Sequence, residues 1–465
     1  MQRSAVGDAL ESIESLITRA GSRRRVVSVT VPVDITDPSA AVLAARLAAD
    51  RWFCWEEPDH DGFALAGLGT AHEAISRGPQ RLTEMAAECA ELMRDRVADE
   101  PDDLAAGAGP AWVGGFAFDP DGGREPQWSS FAPASMTLPE LLLHRHGDET
   151  LLSLCAVTGG GADPDATIGR LAARVSAMGN APLPMADPHP TRDARIESAL
   201  PPESYEAAVA SGVERIREGA LEKVVLGREV VVVGPRAHDP TAMFGALREA
   251  FPACFCFCQG TPEGAFIGAS PELLLRRSGA SVATVALAGS TRRSADPAVD
   301  DHLGEQLLRS AKNRAEHEIV GRRIERLLRP HSVWVEATRA PDLVKVANIQ
   351  HLGTAIRAQL AEPHSAVELA GLLHPTPAVG GEPNAGALAA IRELEGMDRG
   401  WYAGAVGWMD ATEDGEFCVA LRSALLRDRT AHLYAGAGIV ADSDPAAELA
   451  ETELKLDALL PLLTA

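Results

Sequence analysis

Lysine is scarce in this chain. Lys223, Lys312, Lys345 and Lys455 are the only four in 465 residues, so the 43 basic residues comprise 4 lysines and 39 arginines. Arginine stays protonated at any working pH, whereas a lysine amine removed from water can lose its proton. A task that needs a neutral amine would therefore require one of the four lysines. For Lys312 and Lys345, chance retention is the simpler interpretation.

Positive charge and long apolar runs are also lacking. The 43 basic and 66 acidic residues give a formal net charge of −23, and so acidic a surface repels the phosphate backbone of nucleic acids. The apolar stretches fall short of the ~20 residues that a membrane-spanning helix needs. Asp8, Glu11 and Glu14 suit neither a signal peptide nor a transit peptide. We expect a cytoplasmic protein with no nucleic-acid partner and no membrane span.

The seven cysteines form no CxxC pair, which argues against a zinc site, a redox motif and a disulfide framework. Cys254, Cys256 and Cys258 alternate with phenylalanines, the period of a buried strand. His317 lacks the second histidine of an HExxH motif. We therefore expect the cysteines to be reduced thiols. With 46% hydrophobic and 23% charged residues, the composition is that of a globular protein.

Hydrophobic periodicity divides the chain into two halves. An amphipathic helix over residues 1–24 precedes several strand-like runs, and residues 159–202 are rich in glycine, proline and alanine, with one short helix at 168–178. In the second half, strands often follow strands, and long helices are predicted over 298–328 and 445–460. This order favours a largely antiparallel α+β fold over a doubly wound sheet.

The closing helix carries Glu448, Glu451 and Lys455 on one face, separate from its leucine stripe. Two carboxylates on one face suit Mg²⁺, which proteins bind through one or two carboxylates together with waters and ligand oxygens. The alternative is a solvated face on which Glu451 and Lys455 form an ordinary i,i+4 pair.

A third acid, Glu316, lies in the preceding long helix. Glu316 is predicted to flank a buried stripe and could complete a magnesium site or remain a surface acid. The stripe consists of Leu308, Ala311, Ala315 and Ile319.

The segment AHLYAGAGIVADSDPAAE superficially matches a dinucleotide-binding fingerprint. Only one helix follows it, so no second strand is left to hold a ribose. A glycine-lined strand end before a capped helix could receive a carboxylate, or it could be a plain tight turn. Both interpretations stay open.

Two further residues suit acid–base chemistry. Lys223 opens the run KVVLGREVVV, whose β-branched residues would exclude water and favour a neutral amine. Glu272 precedes a leucine run in GASPELLL, where desolvation would favour a protonated carboxyl that can act as an acid. For each residue taken alone, the simpler interpretation is an exposed side chain at a strand end.

Over residues 203–463 the chain carries a series of motifs that together resemble the chorismate-utilising enzymes, and isochorismate synthases most of all. In order, these are KVVLGRE, GASPELLL, LAGSTRR, EHEIV, HPTPAVGG, DRGWYAGAVGW, ALRSALL and YAGAGIVADSDPAAELAETELKL. The resemblance implies an α+β fold of two large facing, mostly antiparallel sheets with helices outside. Residues 1–200 would form its β-rich first half and residues 201–465 its chorismate-binding catalytic region, within one structural domain.

The resemblance also implies roles for individual residues. Lys223 matches the base that activates water, and Glu272 matches the acid that protonates the departing hydroxyl. Glu316 and Glu451 match ligands of Mg²⁺, with Glu448 close by or acting through water. The implied substrate-binding residues are Tyr402 and Arg422 for the enolpyruvyl carboxylate, Gly436, Gly438 and Lys455 for the ring carboxylate, and Ser290, His351 and Ala378.

Related enzymes perform different reactions on this scaffold. Anthranilate synthases lack a lysine at the position of Lys223, so its presence favours water as the nucleophile. Salicylate synthases keep the lysine but tend to carry threonine where Ala378 stands. A non-catalytic chorismate-binding subunit is a third possibility, and the full set of acid, base and metal residues argues against it. We expect chorismate as substrate, no obligatory amidotransferase subunit, and a monomer or weak homodimer whose product serves menaquinone or siderophore synthesis.

Overall fold

The computed structural model describes residues 2–161, 163–184, 193–346 and 348–464. Its helices are α1 (Gln2–Ala20), α2 (Pro38–Ala45), α3 (Arg81–Arg94), α4 (Pro164–Ala177), α5 (Pro202–Arg217), α6 (Pro240–Ala250), α7 (Pro297–Arg309), α8 (Ala311–Leu328), α9 (Ala366–Leu373), α10 (Asn384–Leu394), α11 (Pro445–Leu456) and α12 (Leu460–Leu463).

Between the helices run the strands of two sheets. They are β1 (Arg25–Pro32), β2 (Trp52–Glu57), β3 (Phe63–Leu68), β4 (His72–Ser76), β5 (Val97–Asp99), β6 (Ala111–Phe116), β7 (Ala134–Leu138), β8 (Leu141–His146), β9 (Glu149–Thr158), β10 (Arg195–Ser198), β11 (Lys223–Val233), β12 (Phe255–Thr261), β13 (Gly264–Ser270), β14 (Leu273–Ser278), β15 (Ser281–Arg292), β16 (Ser332–Ala337), β17 (Asp342–Lys345), β18 (Ile349–Leu360), β19 (Gly381–Glu382), β20 (Ala405–Asp410), β21 (Gly415–Val419), β22 (Ser423–Arg427) and β23 (Thr430–Ile439).

The larger sheet has 13 strands in the order β10-β11-β23-β22-β13-β12-β2-β3-β8-β9-β1-β5, with β19 beside β11. The smaller sheet has 10 strands in the order β16-β18-β15-β14-β21-β20-β6-β7-β4, with β17 beside β18. Among the described strands, the one parallel pair is β1 with β5. The predicted α+β fold of two mostly antiparallel sheets is confirmed.

The main core lies between the two sheets, where Trp55 and Phe257 of the larger sheet belong to the same buried cluster as Trp112 and Phe417 of the smaller one. The opposite face of the larger sheet packs against helices that include α1 and α6. Successive strand residues point to opposite faces. Accordingly, Phe257 points into the main core while its neighbours Cys256 and Cys258 lie under the helices. The seven cysteines are buried and carry free thiols.

Strands from both ends of the chain meet in each sheet. In the larger sheet β2 pairs with β12, with Cys54 opposite Cys258. In the smaller sheet β6 pairs with β20, with Gly114 opposite Gly407. Both sheets are therefore continuous across the sequence boundary near residue 200.

Three predicted elements differ in the structure. The helix predicted over 298–328 is wrong, because Ser310 is extended (φ −67°, ψ 115°) and its side chain caps α8 by accepting a hydrogen bond from the Asn313 amide. The closing helix ends at Leu456 instead of residue 460, and Asp457 caps it with an amide that donates to the Glu453 carbonyl. The segment predicted as irregular contains β10 and a longer helix, α4, while its residues 162 and 185–192 lie outside the described residues.

In the described ranges, none of the helices has the length and apolar character needed to cross a membrane.

Candidate active site

A pocket with about 700 Å³ of space free of protein atoms opens where the two sheets meet. Strands β11 and β23 of the larger sheet form one wall, and β15 and β18 of the smaller sheet form another. Helices α8 and α11 each contribute a carboxylate to the lining, those of Glu316 and Glu451. The pocket thus collects side chains from both sheets and from two helices that are distant in sequence.

Most of the residues predicted for the site line this pocket. Lys223 is fully buried beside it, and Glu448 lies on α11 one turn before Glu451. The predicted residues that line the pocket are Glu272, Ser290, Glu316, His351, Ala378, Tyr402, Arg422, Gly436, Gly438, Glu451 and Lys455.

Lys223 and Glu316 form an ion pair inside the protein. Lys223 Nζ lies 2.9 Å from Glu316 Oε1, although these atoms lack the angles of a hydrogen bond. Lys223 is 0% exposed, and its position at the first residue of β11 carries its side chain towards α8. The sequence alone did not exclude that Glu316 is a surface acid beside the predicted buried stripe that begins at Leu308. In the structure, Glu316 itself belongs to the buried face of α8, together with Val320 and Ile324.

The Lys223–Glu316 ion pair fits only because Gly438 has no side chain. A Cβ atom on Gly438 would lie 2.2 Å from Glu316 Oε1 and 3.0 Å from Lys223 Cε. Gly436, two residues earlier, passes close to the Tyr402 hydroxyl and would place a Cβ 3.1 Å from it. Both glycines lie within β23, so the tight-turn interpretation of this segment is wrong. A larger residue at either position would clash with its neighbours, because β23 passes close to the side chains of Glu316, Lys223 and Tyr402.

Glu272 is a buried carboxyl that forms no ion pair with any of the residues that the structure describes. It follows β13, where its own amide donates to Ser270 Oγ at 3.2 Å and its carbonyl accepts from Val419 at 3.0 Å. Burial raises the pKa of Glu272 to about 8, although Lys223, Arg422 and Lys455 pull it downward. Most of the Glu272 carboxyl groups therefore carry a proton at neutral pH.

The opposite part of the pocket is cationic. Arg422 Nη2 lies 3.3 Å from His351 Nε2, and burial together with Arg422 and Lys455 lowers the pKa of His351 to about 3. His351 is therefore neutral, so the positive charges that act on it are those of Arg422 and Lys455. Tyr402 stacks on Tyr434 with ring centroids 5.2 Å apart, which fixes its ring beside the pocket. Such buried cations attract an anionic ligand strongly, because little water screens them.

Glu451 is held by two polar partners. Its Oε1 accepts from Lys455 Nζ at 2.7 Å and from Ser290 Oγ at 3.0 Å. Ser290 follows a bulge in β15, where Gly289 has a φ of +73°. Burial alone would raise the pKa of Glu451, but Lys455, Ser290 and His351 together hold it at about 2. Glu451 is therefore an anion at all working pH values.

The three glutamates predicted to bind magnesium each contact a lysine side chain in this structure. Glu448 Oε1 lies 2.9 Å from Lys312 Nζ, and burial followed by the charge of Glu451 raises the pKa of Glu448. Within the described ranges, no three aspartate, glutamate, histidine or cysteine side chains converge as metal ligands do. The donor chemistry still fits Mg²⁺, because the three carboxylates are oxygen donors close enough for the charge of Lys312 to act on all of them.

Two features of the site escaped the sequence analysis. Lys312 seemed incidental there, yet it pairs with Glu448 beside the pocket. Arg399 lines the pocket, is 4% exposed, and donates to the Val379 and Val225 carbonyls as well as to Glu395. Lysine scarcity was a signal for Lys312, and Arg399, to which no role had been assigned, lies in the motif DRGWYAGAVGW.

Comparisons with known proteins agree over nearly the whole chain. A family model described as chorismate binding enzyme matches residues 9–464. The salicylate biosynthesis isochorismate synthase of Pseudomonas aeruginosa is 37% identical over 449 residues, which cover 96% of this chain and 92% of that protein. An isochorismate synthase of Bacillus subtilis is 34% identical, over 90% of this chain and 89% of that protein.

A solved structure extends the similarity to three dimensions. The menaquinone-specific isochorismate synthase of Escherichia coli is 26% identical, with a TM-score of 0.80, covering 99% of this chain and 100% of that one.

Proposed function

This chain belongs to the family of chorismate-binding enzymes, and we propose that it is an isochorismate synthase. The reaction adds water at C2 of chorismate while the C4 hydroxyl leaves as water and the ring double bonds shift. Substrate and product are isomers, so the conversion needs no oxidant or reductant. It does need one group that accepts a proton from the attacking water and another that donates a proton to the departing hydroxyl.

The burial of the Glu272 carboxyl in the lining of the pocket is the observation that carries this proposal, because that burial raises its pKa to about 8. Glu272 lines the pocket and retains a proton at neutral pH, so it can donate that proton to the C4 hydroxyl as the C4–O bond breaks. An ionised carboxylate at this position could not perform the step.

Lys223 is the proposed base. Its amine accepts a proton from water as the C2–O bond forms, and the catalytic cycle closes when Lys223 returns a proton to solvent and Glu272 regains one. The position of Lys223 supports this role, because its side chain is 0% exposed and contacts Glu316, which lines the pocket. Arginine could not replace it, since a guanidinium does not lose its proton.

The two carboxylates of chorismate match the charges that line the pocket. We assign the enolpyruvyl carboxylate to Arg422 and Tyr402, since a planar guanidinium binds a carboxylate through two parallel hydrogen bonds. The ring carboxylate is assigned to Lys455 and to the backbone at Gly436 and Gly438. Ser290, His351 and Ala378 complete the lining around the ring.

Glu316, Glu448 and Glu451 would hold Mg²⁺, whose bound charge would neutralise and position the ring carboxylate. Glu448 and Glu451 lie on α11 and Glu316 lies on α8, so the acidic site would be built from two helices. Lys455 Nζ donates to the Gly436 carbonyl at 2.8 Å, which holds its side chain beside the proposed site of the ring carboxylate.

The whole reaction is proposed to take place on this chain without an amidotransferase subunit, because its acid, base and acidic metal ligands all surround one pocket. We also propose that residues 1–200 and 201–465 form one structural domain. The pairing of β2 with β12 and of β6 with β20 supports that proposal.

The decisive experiment incubates the purified chain with chorismate and Mg²⁺ alone and separates the products by chromatography. Isochorismate without pyruvate supports the proposal. Salicylate together with pyruvate would instead identify a salicylate synthase, and no turnover would identify a non-catalytic chorismate-binding protein. Omission of Mg²⁺, with chelator present, should abolish turnover.

A further inference from the structure

Each of the three proposed magnesium ligands contacts a different lysine. Three of the four lysines in the chain contact these three glutamates, although arginines outnumber lysines 39 to 4. The pairs are Lys223 with Glu316 at 2.9 Å, Lys312 with Glu448 at 2.9 Å, and Lys455 with Glu451 at 2.7 Å.

Lys312 differs from the other two lysines. Lys223 and Lys455 have proposed tasks at the substrate, whereas Lys312 has none and, like Lys223, is not part of the pocket lining. It lies one turn before Glu316 on α8 and reaches across to Glu448 on α11, and its charge also acts on Glu316 and Glu451. Its side chain is 38% exposed, so the ammonium can leave the carboxylate and swing into water, which the fully buried Lys223 cannot do.

We propose that Lys312 is a tethered counter-ion that occupies the acidic site in the absence of metal and competes with Mg²⁺ for Glu448. This inference rests on the proposed function, because it takes the three glutamates as the metal ligands. An ammonium and a metal cation cannot share the same carboxylate lone pairs, and a positive charge beside the site also repels a divalent ion. Lys312 therefore weakens Mg²⁺ binding and keeps the clustered acids compatible with folding when no metal is bound.

The choice of lysine is consistent with this role. A guanidinium would bind Glu448 through a rigid two-pronged contact, whereas an ammonium on a flexible stem releases a carboxylate more readily. A purely structural tie between α8 and α11 would be served as well by arginine, which this chain uses for most of its other ion pairs.

Calorimetric titration of the full chain with MgCl₂ tests the inference without turnover. The titration is run at pH 8 and low salt in the absence of chorismate, for wild type, Lys312→Met, Lys312→Gln, Lys312→Arg and Lys345→Met. Lys345 is a matched control, since it is 34% exposed and pairs with Asp300 and Asp301 at 3.1 Å, away from the pocket.

Lys312→Met and Lys312→Gln should each bind Mg²⁺ roughly tenfold more tightly than wild type, because one competing positive charge is gone. Lys312→Arg should bind no more tightly than wild type, and Lys345→Met should match wild type. Thermal melting gives a second readout. Both neutral variants should melt lower than wild type without metal and show a larger rise in Tm with saturating Mg²⁺.

Equal or weaker Mg²⁺ affinity in both neutral variants would overturn the inference, because a structural salt bridge predicts that outcome. The absence of any Mg²⁺ binding by the folded wild type would overturn it as well. Failure of the proposed function has a different signature. If the neutral variants bind Mg²⁺ more tightly but the wild type makes no isochorismate, the counter-ion role of Lys312 is supported and the proposed reaction is wrong. If the wild type makes isochorismate but the neutral variants do not bind Mg²⁺ more tightly, the proposed reaction is supported and the counter-ion role is wrong.

Discussion

Replacement of Glu272 by glutamine should inactivate the enzyme and, at the same time, stabilise it at alkaline pH. The Glu272 carboxyl has an ordinary pKa of 4.5 when exposed to water and a pKa of about 8 in the folded chain. Between these two values the unfolded chain releases the proton while the folded chain keeps it. Folding therefore becomes less favourable as pH rises from about 4.5 to about 8, and this effect is absent below pH 4.5, where both states are protonated.

The size of this effect follows from the separation of the two pKa values. Each pH unit in the interval is worth about 1.4 kcal/mol, so this one group should lower the free energy of unfolding by about 4 kcal/mol between pH 5 and pH 8. A neutral glutamine does not titrate and removes the pH dependence. It also cannot donate a proton to the leaving hydroxyl, so turnover should fall by about 10²- to 10⁴-fold.

The assay is guanidinium chloride unfolding of wild type and Glu272→Gln at pH 5 and pH 8, with metal absent. The free energy of unfolding of Glu272→Gln minus that of wild type is compared at the two pH values. Its change from pH 5 to pH 8 reports on Glu272 alone, since the two proteins share all other titrating groups. This difference should increase by several kcal/mol from pH 5 to pH 8. If the two proteins keep the same difference at both pH values, Glu272 is not a protonated group in the folded chain and its assignment as the acid fails.

Three further outcomes follow from the same site. Wild-type kcat/KM should fall as pH rises through about 8, because Glu272 then loses its proton, and a flat profile from pH 7 to 9.5 would contradict this. Lys223→Met should reduce turnover by about 10²- to 10⁴-fold with an unchanged circular dichroism spectrum, and near wild-type turnover would remove Lys223 as the base. Gly438→Ala should lower turnover by about 10²-fold, because its Cβ would displace the Lys223–Glu316 pair. The matched control is Gly321→Ala on α8, where a Cβ meets no atom within 4 Å; if both alanine variants were equally active, the packing argument would be wrong.

Local sequence patterns were most informative where one element forms one side of the site. Strand β11 runs over Lys223–Val233 as its β-branched run predicts, and the α11 residues Glu448, Glu451 and Lys455 are all directed to the acidic site. Such features depend on residues close in sequence, and hydrophobic periodicity captures them.

Features that depend on distant residues were harder to predict. Periodicity assigned the wrong buried face to α8, because the packing of Glu316 beneath Gly438 of β23 outweighs the apolar pattern of the helix. The break at Ser310 was visible in principle as a serine cap, but the flanking residues on both sides favour helix. The pairing of Lys312 with Glu448 joins residues 136 positions apart, and no local pattern predicts such contacts.

The shared sheets also have a consequence for synthesis on the ribosome. When only the first 200 residues have emerged, β2 and β6 each present an unpaired edge, because their partners β12 and β20 are still to be translated. Open strand edges invite pairing with other nascent chains. We therefore expect the emerging chain to depend on chaperones until β20 is available, and expression of residues 1–200 alone to yield inclusion bodies.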